Sequence, residues 1–277
     1  MFYLILSILG GALISVMLRL SEGKVKSSLA MLLANYMTCV VLAAFTTGWG
    51  NILPAGEGSA YAVGTGAFNG LLYLIAFVLM EYCTRNYGVV LPAIFSKLGL
   101  LVPMLLSFLV FSEIPTAFQI VGFVIAVLSI LLINHERGQR LSLNLWLILL
   151  LLSDGSGAAM LKVFEETGSA ALSEQFILYT FFFAGLLCMA AVVYKKQKLG
   201  AAEMFFGVLI GIPNFMGSRF MMRSLEYLPG VIAYPTRSVA IILLVALAGA
   251  VFFREKLRKN QWLAIAAIMA ALVLLNI

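Results

Sequence analysis

The chain has 277 residues, of which 63% are hydrophobic and 11% charged, with a formal net charge of +6 at pH 7 and a mean hydropathy of +1.07. A soluble domain carries about 25% charged residues, so this composition excludes a soluble globular protein and places nearly all of the chain in a bilayer. The positive balance does not signal nucleic acid. Thirteen of the eighteen Lys and Arg fall in short loops between apolar runs, where membrane orientation accounts for them.

The first apolar run, 2–18, is followed by its cations, Arg19, Lys24 and Lys26, and lacks an A-x-A site. It therefore reads as a first span and not as a cleaved leader. With about 20 apolar residues per span, ten spans are predicted. They fall at 2–20, 28–47, 59–81, 87–110, 116–134, 142–164, 172–194, 203–226, 230–253 and 259–277. Short connections make neighbouring spans antiparallel, so the expected fold class is an all-α membrane protein forming one helical bundle.

The chain also repeats itself. A shift of 142 residues brings Gly88 onto Gly230, Glu113 onto Glu255, Gln119 onto Gln261 and Met80 onto Met222. The halves 1–141 and 142–277 then hold five spans each. An odd number inverts the second half, giving a 5+5 inverted-topology repeat, an architecture of secondary transporters whose substrate site lies near the midplane between the repeats.

Loop charge sets the orientation. Arg19, Lys24, Lys26, Arg85, Arg137, Arg140, Lys195, Lys196, Lys198, Arg254, Lys256, Arg258 and Lys259 all follow odd-numbered spans. Those loops are expected in the cytoplasm of a bacterial cell, with both termini outside the inner membrane.

Three charges interrupt the spans. Lys97 lies ten residues into the fourth, about 15 Å deep at the helical rise. Arg237 lies seven into the ninth, and Asp154 twelve into the sixth, within the small-residue run Ser153-Asp154-Gly155-Ser156-Gly157. Charges at this depth are costly and usually serve function. Pro92 and Pro235 precede the two cations and are expected to free backbone groups there.

The functional reading is a midplane anion site. Lys97 offers a point charge and Arg237 a bidentate fork to one carboxylate or phosphate. Ser96 and Ser238 are neighbouring donors, Tyr234 and Asn214 take the polar remainder, and Tyr36, Tyr73 and Tyr179 line the walls. Asp154 is a proton-coupling carboxylate, the ion-pair partner of one cation, or both, since a carboxylate that competes with the solute anion for one cation couples the two; the pairing alone would leave the cations structural. Arg219, Arg223 and Glu226 read as a face of local pairs, and Glu81 with Arg85 as a helix-end pair. Glu113 and Glu255 read as caps for the next helix start, and His135 as a solvated loop residue.

The closing motifs of the two halves, LVFSEIPTAFQIVGFVIAVLSILLI (109–133) and AVFFREKLRKNQWLAIAAIMAALVLLNI (250–277), look like "flgE", a polar turn, then "qlxGxxlixxGvxLi". In these, and in span count and repeat, the chain resembles the EamA type of the drug/metabolite transporter superfamily. The resemblance implies a ten-helix transporter working by alternating access. Plastid sugar-phosphate translocators, similar in overall plan, use cations on the fourth and ninth helices for phosphate, and Lys97 and Arg237 match these by helix.

The expected function is secondary transport of a small polar metabolite bearing an anionic group: an organic anion, amino acid or phosphorylated compound. The alternative is a proton-coupled exporter of amino acids or amphipathic cationic drugs using Asp154. Expected partners are the solute, the bilayer, and protons or a counter-transported solute, with no nucleic acid; the oligomeric state is left open, a monomer being possible. No catalytic residue, metal ligand or cofactor is expected. There is no Gly-rich phosphate loop with its Lys-Ser/Thr, and Cys39, Cys83 and Cys188 are scattered without metal spacing.

Overall fold

The computed structural model describes residues 1–53, 56–87, 90–133, 144–252 and 259–277. The described residues form eleven α-helices and two single 3₁₀ turns, with no strand among them. The helices are α1 (Phe2–Ser21), α2 (Ser28–Thr47), α3 (Ser59–Tyr87), α4 (Val90–Leu98), α5 (Leu101–Leu109), α6 (Ala117–Ile133), α7 (Leu145–Thr167), α8 (Ser173–Tyr194), α9 (Ala201–Leu225), α10 (Gly230–Phe252) and α11 (Lys259–Leu275). Eight segments are long and apolar enough to cross a membrane, α4 and α5 together making one. α6 and α11 are shorter apolar helices that complete ten.

Boundaries depart from expectation where local chemistry allows it. α3 runs to Tyr87 and not 81, because 82–87 contains neither Gly nor Pro and Glu81 pairs with Arg85 one turn on. The fourth span is broken, but not at Pro92. Pro92 sits in the first turn of α4, where its missing N–H is not needed. The break falls at Gly99-Leu100, just after Lys97, and Pro103 explains it. Proline cannot donate to the carbonyl four residues back and crowds it; Val102 N–H takes the Gly99 carbonyl instead, at 3.0 Å. α10 passes through Pro235 without a break, as α9 does through Pro213.

The chain gathers into two compact units, and neither is a sequence half. Unit one is 1–74 with 160–226; unit two is 75–159 with 227–277. In unit one α1 and α2 pack along α9, and α2 along α8. Small residues permit this: a side chain at Gly207 would meet the Met31 carbonyl at 2.7 Å, and one at Gly10 the Pro213 carbonyl at 2.9 Å. Met31, Phe206 and Ile210 form a buried cluster at that contact. In unit two α6 packs along α11, and α10 against α5, α6 and α11. Its cores are Ala126, Val239, Ile268 and Ala271, and separately Cys83, Phe95, Leu147 and Leu150. The pairs α2–α8 and α6–α11 each join one helix from 1–141 with one from 142–277. The half boundary at 141/142 lies outside the described residues, as do Gly88, Glu255 and His135, and with them the loop cations Arg137, Arg140, Arg254, Lys256 and Arg258.

Outward faces are apolar: Phe45, Phe68, Leu109, Phe118, Leu128 and Val193 are among many large exposed hydrophobics. In water such surface would drive association; on membrane spans it is the lipid contact.

Candidate functional site

Unit two brings three intramembrane charges together. Lys97 occupies the last turn of α4, at the negative end of that helix's dipole, where a cation is stabilised. Asp154 lies near the middle of α7, and Arg237 in the first half of α10. Their charges are close enough to act on one another directly. Asp154 and Arg237 are half-buried; Lys97 keeps accessible surface as a residue, but protein surrounds its ammonium. Among the described residues the Lys97 ammonium makes no hydrogen bond.

Asp154 is fixed by the α4 side. Ser96 Oγ donates to its Oδ2 at 2.7 Å. That approach depends on glycine, because a side chain at Gly155 would strike the Gly99 carbonyl and meet Val102 Cγ2 at 2.6 Å. The small-residue run therefore has a specific job. It seats α7 directly against the break between α4 and α5, with Asp154 beside Ser96-Lys97. Tyr234 is buried and its hydroxyl donates to the Ala158 carbonyl at 3.0 Å, tying α10 to α7. Ser238 follows Arg237, half-buried on the same helix.

The other candidate residues fall in unit one. Asn214 Nδ2 donates to Asn35 Oδ1 at 3.2 Å. Tyr179 is buried and donates to the Ile52 carbonyl at 2.7 Å. Tyr36 and Tyr73 both pack against the Phe181 ring, with centroids 6.3 and 6.1 Å away. Tyr73 also lines a cavity of about 10 Å³ with Asn69, room for about one water. Asn69 is fully buried and its Oδ1 has no hydrogen-bond partner among the described residues.

Other charged residues take structural places, several of which sequence reasoning did not reach. Glu174, at the start of α8, accepts from Arg219 Nε at 2.8 and 3.1 Å and from Thr46 at 3.2 Å, with Arg223 at 3.6 Å. The expected pair of Arg223 with Glu226 is present at 3.1 Å. Lys162 is buried on α7 and bonded to Glu165 at 2.8 Å and to Glu166. Glu113 caps a helix start, but not that of the next helix: its Oε2 accepts from Val231 N–H at 3.0 Å, at the start of α10. The next helix, α6, is capped by Thr116 and Gln119 reciprocally. Sequence signals for Glu174 and Glu203 existed, since each is an acid in the first turn of a long span, where it complements the dipole.

Among the described residues, ten apolar helical spans with a cluster of charges inside them make this a multi-pass membrane protein. The family comparison narrows this: residues 141–277 match the EamA-like transporter family. A flippase subunit, ArnE of Photorhabdus laumondii, described as a probable 4-amino-4-deoxy-L-arabinose-phosphoundecaprenol flippase subunit, is 33% identical over 92 residues, 33% of this chain and 77% of its own. An uncharacterized protein of Haemophilus influenzae is 24% identical over 211 residues, 73% of this chain and 72% of its own. One solved crystal structure superposes with a TM-score of 0.75 over 99% of this chain and 94% of its own, at 12% identity, so it shares the fold. The chain belongs to the EamA-like transporter family, within the drug/metabolite transporter superfamily.

Proposed function

We propose that the protein is a secondary transporter of a small polar solute bearing an anionic group, held by Lys97 of the first sequence repeat and Arg237 of the second. The observation that carries this reading is Lys97: accessible as a residue yet with its ammonium surrounded by protein, without a hydrogen bond among the described residues, and within electrostatic reach of Arg237 and Asp154. A structural lysine at that depth would be bonded, as Lys162 is. Lys97 instead keeps its donors available.

Asp154 gives the site its cycle. Its carboxylate, oriented by Ser96, competes with the solute anion for the same two cations. Protonation of Asp154 then favours solute binding, and solute release favours its ionised form, coupling the solute to a proton. The repeats 1–141 and 142–277, inverted relative to each other, supply two exchangeable arrangements for alternating access. Loops after odd-numbered spans lie in the cytoplasm of a bacterial inner membrane, by their cations. The name of the ArnE relative, a probable 4-amino-4-deoxy-L-arabinose-phosphoundecaprenol flippase subunit, includes a phosphate, which supports an anion as the recognised group.

The test is ligand-induced thermal stabilisation of the purified protein in detergent, across organic anions, phosphorylated compounds, amino acids and organic cations. A stabilising anion whose effect disappears in Lys97→Gln and Arg237→Gln supports the reading. A stabilising cation that still acts on Lys97→Gln and fails only with Asp154→Asn replaces it with the exporter.

A further inference from the structure

A second cationic site lies in unit one, at the ends of four spans. The connection between α1 and α2 carries Lys24 and Lys26; the connection between α8 and α9 carries Lys198. These loops are some 170 residues apart in sequence (Ser27 of one bonds Gln197 of the other), yet the three lysines line one cleft of about 510 Å³ with Ser27, Gln197 and Glu203. That is the size of a small-molecule site.

The cleft is electrostatically unbalanced. All three lysines are exposed, and none has an ion pair among the described residues. Lys24 lies over the Phe206 ring at 5.5 Å, a contact that holds the ammonium without neutralising it. The one carboxylate in the lining, Glu203, is turned to other work: it is buried and accepts from the N–H groups of Lys26 at 2.8 Å and Ser27 at 3.4 Å. It fixes the α1–α2 connection against the start of α9 and so holds the cleft open between the two loops.

We propose that this cleft binds the phosphate-bearing headgroup of an anionic phospholipid. Position and charge both favour a lipid as the source. The cleft sits where spans end, at headgroup depth, and the last two residues of α8, ahead of the connection that carries Lys198, are exposed, Val193 at 70% and Tyr194 at 87%. Tyrosine at a span end is an interfacial residue. A headgroup entering from the adjacent leaflet needs no diffusion from solution, and its acyl chains lie along those exposed side chains. Orientation in the membrane accounts for lysines on this face, but not for their convergence on a shaped cleft from two distant loops.

Native mass spectrometry tests this with the whole protein in detergent, titrated with phosphatidylglycerol or with phosphatidylcholine of the same chains. The variant Lys24→Gln/Lys198→Gln is compared with Lys195→Gln/Lys196→Gln, which removes the same charge from the same loop face outside the cleft. A lysine that holds the headgroup phosphate is worth roughly fivefold in binding, so the cleft pair should lose phosphatidylglycerol roughly 25-fold. The outer pair should lose only a few-fold. Lys24→Arg/Lys198→Arg should bind as the unaltered protein does, which keeps the test valid if the Gln pair unfolds. Equal loss in both Gln pairs, no preference for the anionic lipid, loss in the Arg pair, or displacement by free glycerol phosphate at matching concentration would each overturn the proposal.

Discussion

Gly155→Ala puts the seating of α7 on the broken fourth span to a quantitative test. The added methyl would meet Val102 Cγ2 at 2.6 Å and Cβ at 2.7 Å, and would strike the Gly99 carbonyl. Carbon atoms pack best at about 3.5–4.0 Å, so α7 must move by about 1 Å, and the carbonyl cannot rotate aside. Overpacking of this kind costs about 1–3 kcal/mol. The helix-propensity gain of Gly to Ala, about 1 kcal/mol, offsets part of it. A clash with backbone belongs at the upper end of the overpacking range, about 2–3 kcal/mol, so the net loss is about 1–2 kcal/mol, a factor of roughly 5–30 in local opening. Three buried free cysteines provide the readout. Cys83 packs with Phe95, Leu147 and Leu150 at this contact, while Cys39 and Cys188 lie in unit one. Maleimide labelling followed by mass spectrometry should accelerate at Cys83 well beyond Cys39 and Cys188. Gly64→Ala is the control, since nothing lies within 4 Å of its added methyl. Cys83 labelling in Gly155→Ala as slow as in Gly64→Ala would refute the packing argument.

Other consequences are equally direct. Glu113→Ala removes the acceptor for Val231 N–H and should cost about 0.5–2 kcal/mol, read as a lower melting temperature in detergent. Glu203→Ala strands the Lys26 and Ser27 N–H groups and should cost about 1–3 kcal/mol in the same assay, more than Glu226→Ala, whose partner Arg223 keeps Glu174 nearby. Glu174→Ala leaves Arg219 without the carboxylate it grips with Nε and should exceed Glu226→Ala as well. Asp154→Asn should abolish the pH dependence of transport while retaining solute binding, measured as uptake into proteoliposomes across external pH.

How far the sequence is legible depends on whether a signal is local. A charge inside an apolar run stands out against it, so Lys97, Asp154 and Arg237 could be picked from one chain. Their convergence could be expected because two cations and one anion at similar depth favour company. Span number and type were legible for the same reason, through hydropathy alone. The position of the break was not. Both Pro92 and Pro103 are visible, but only the start of α4 at Val90 decides that Pro92 falls in a tolerant first turn. The two compact units were not legible either, since they interleave the sequence halves through helix contacts made by Gly10, Gly155 and Gly207. Hydroxyl and amide partners are likewise tertiary facts. Tyr234, Tyr179 and Asn214 read as polar residues in spans, and only the fold shows them bonded to Ala158, Ile52 and Asn35. Glu203 serves two distant loop amides that no local pattern connects to it.

The most direct measurement is uptake of a pooled metabolite set into proteoliposomes by the unaltered protein, Lys97→Ala and Arg237→Ala, with folding verified by the cysteine-labelling profile. The account requires that an anionic solute enters with the unaltered protein and that both variants lose it while remaining folded. Undiminished transport of that solute by either folded variant, or a transported cation that needs only Asp154, would contradict it.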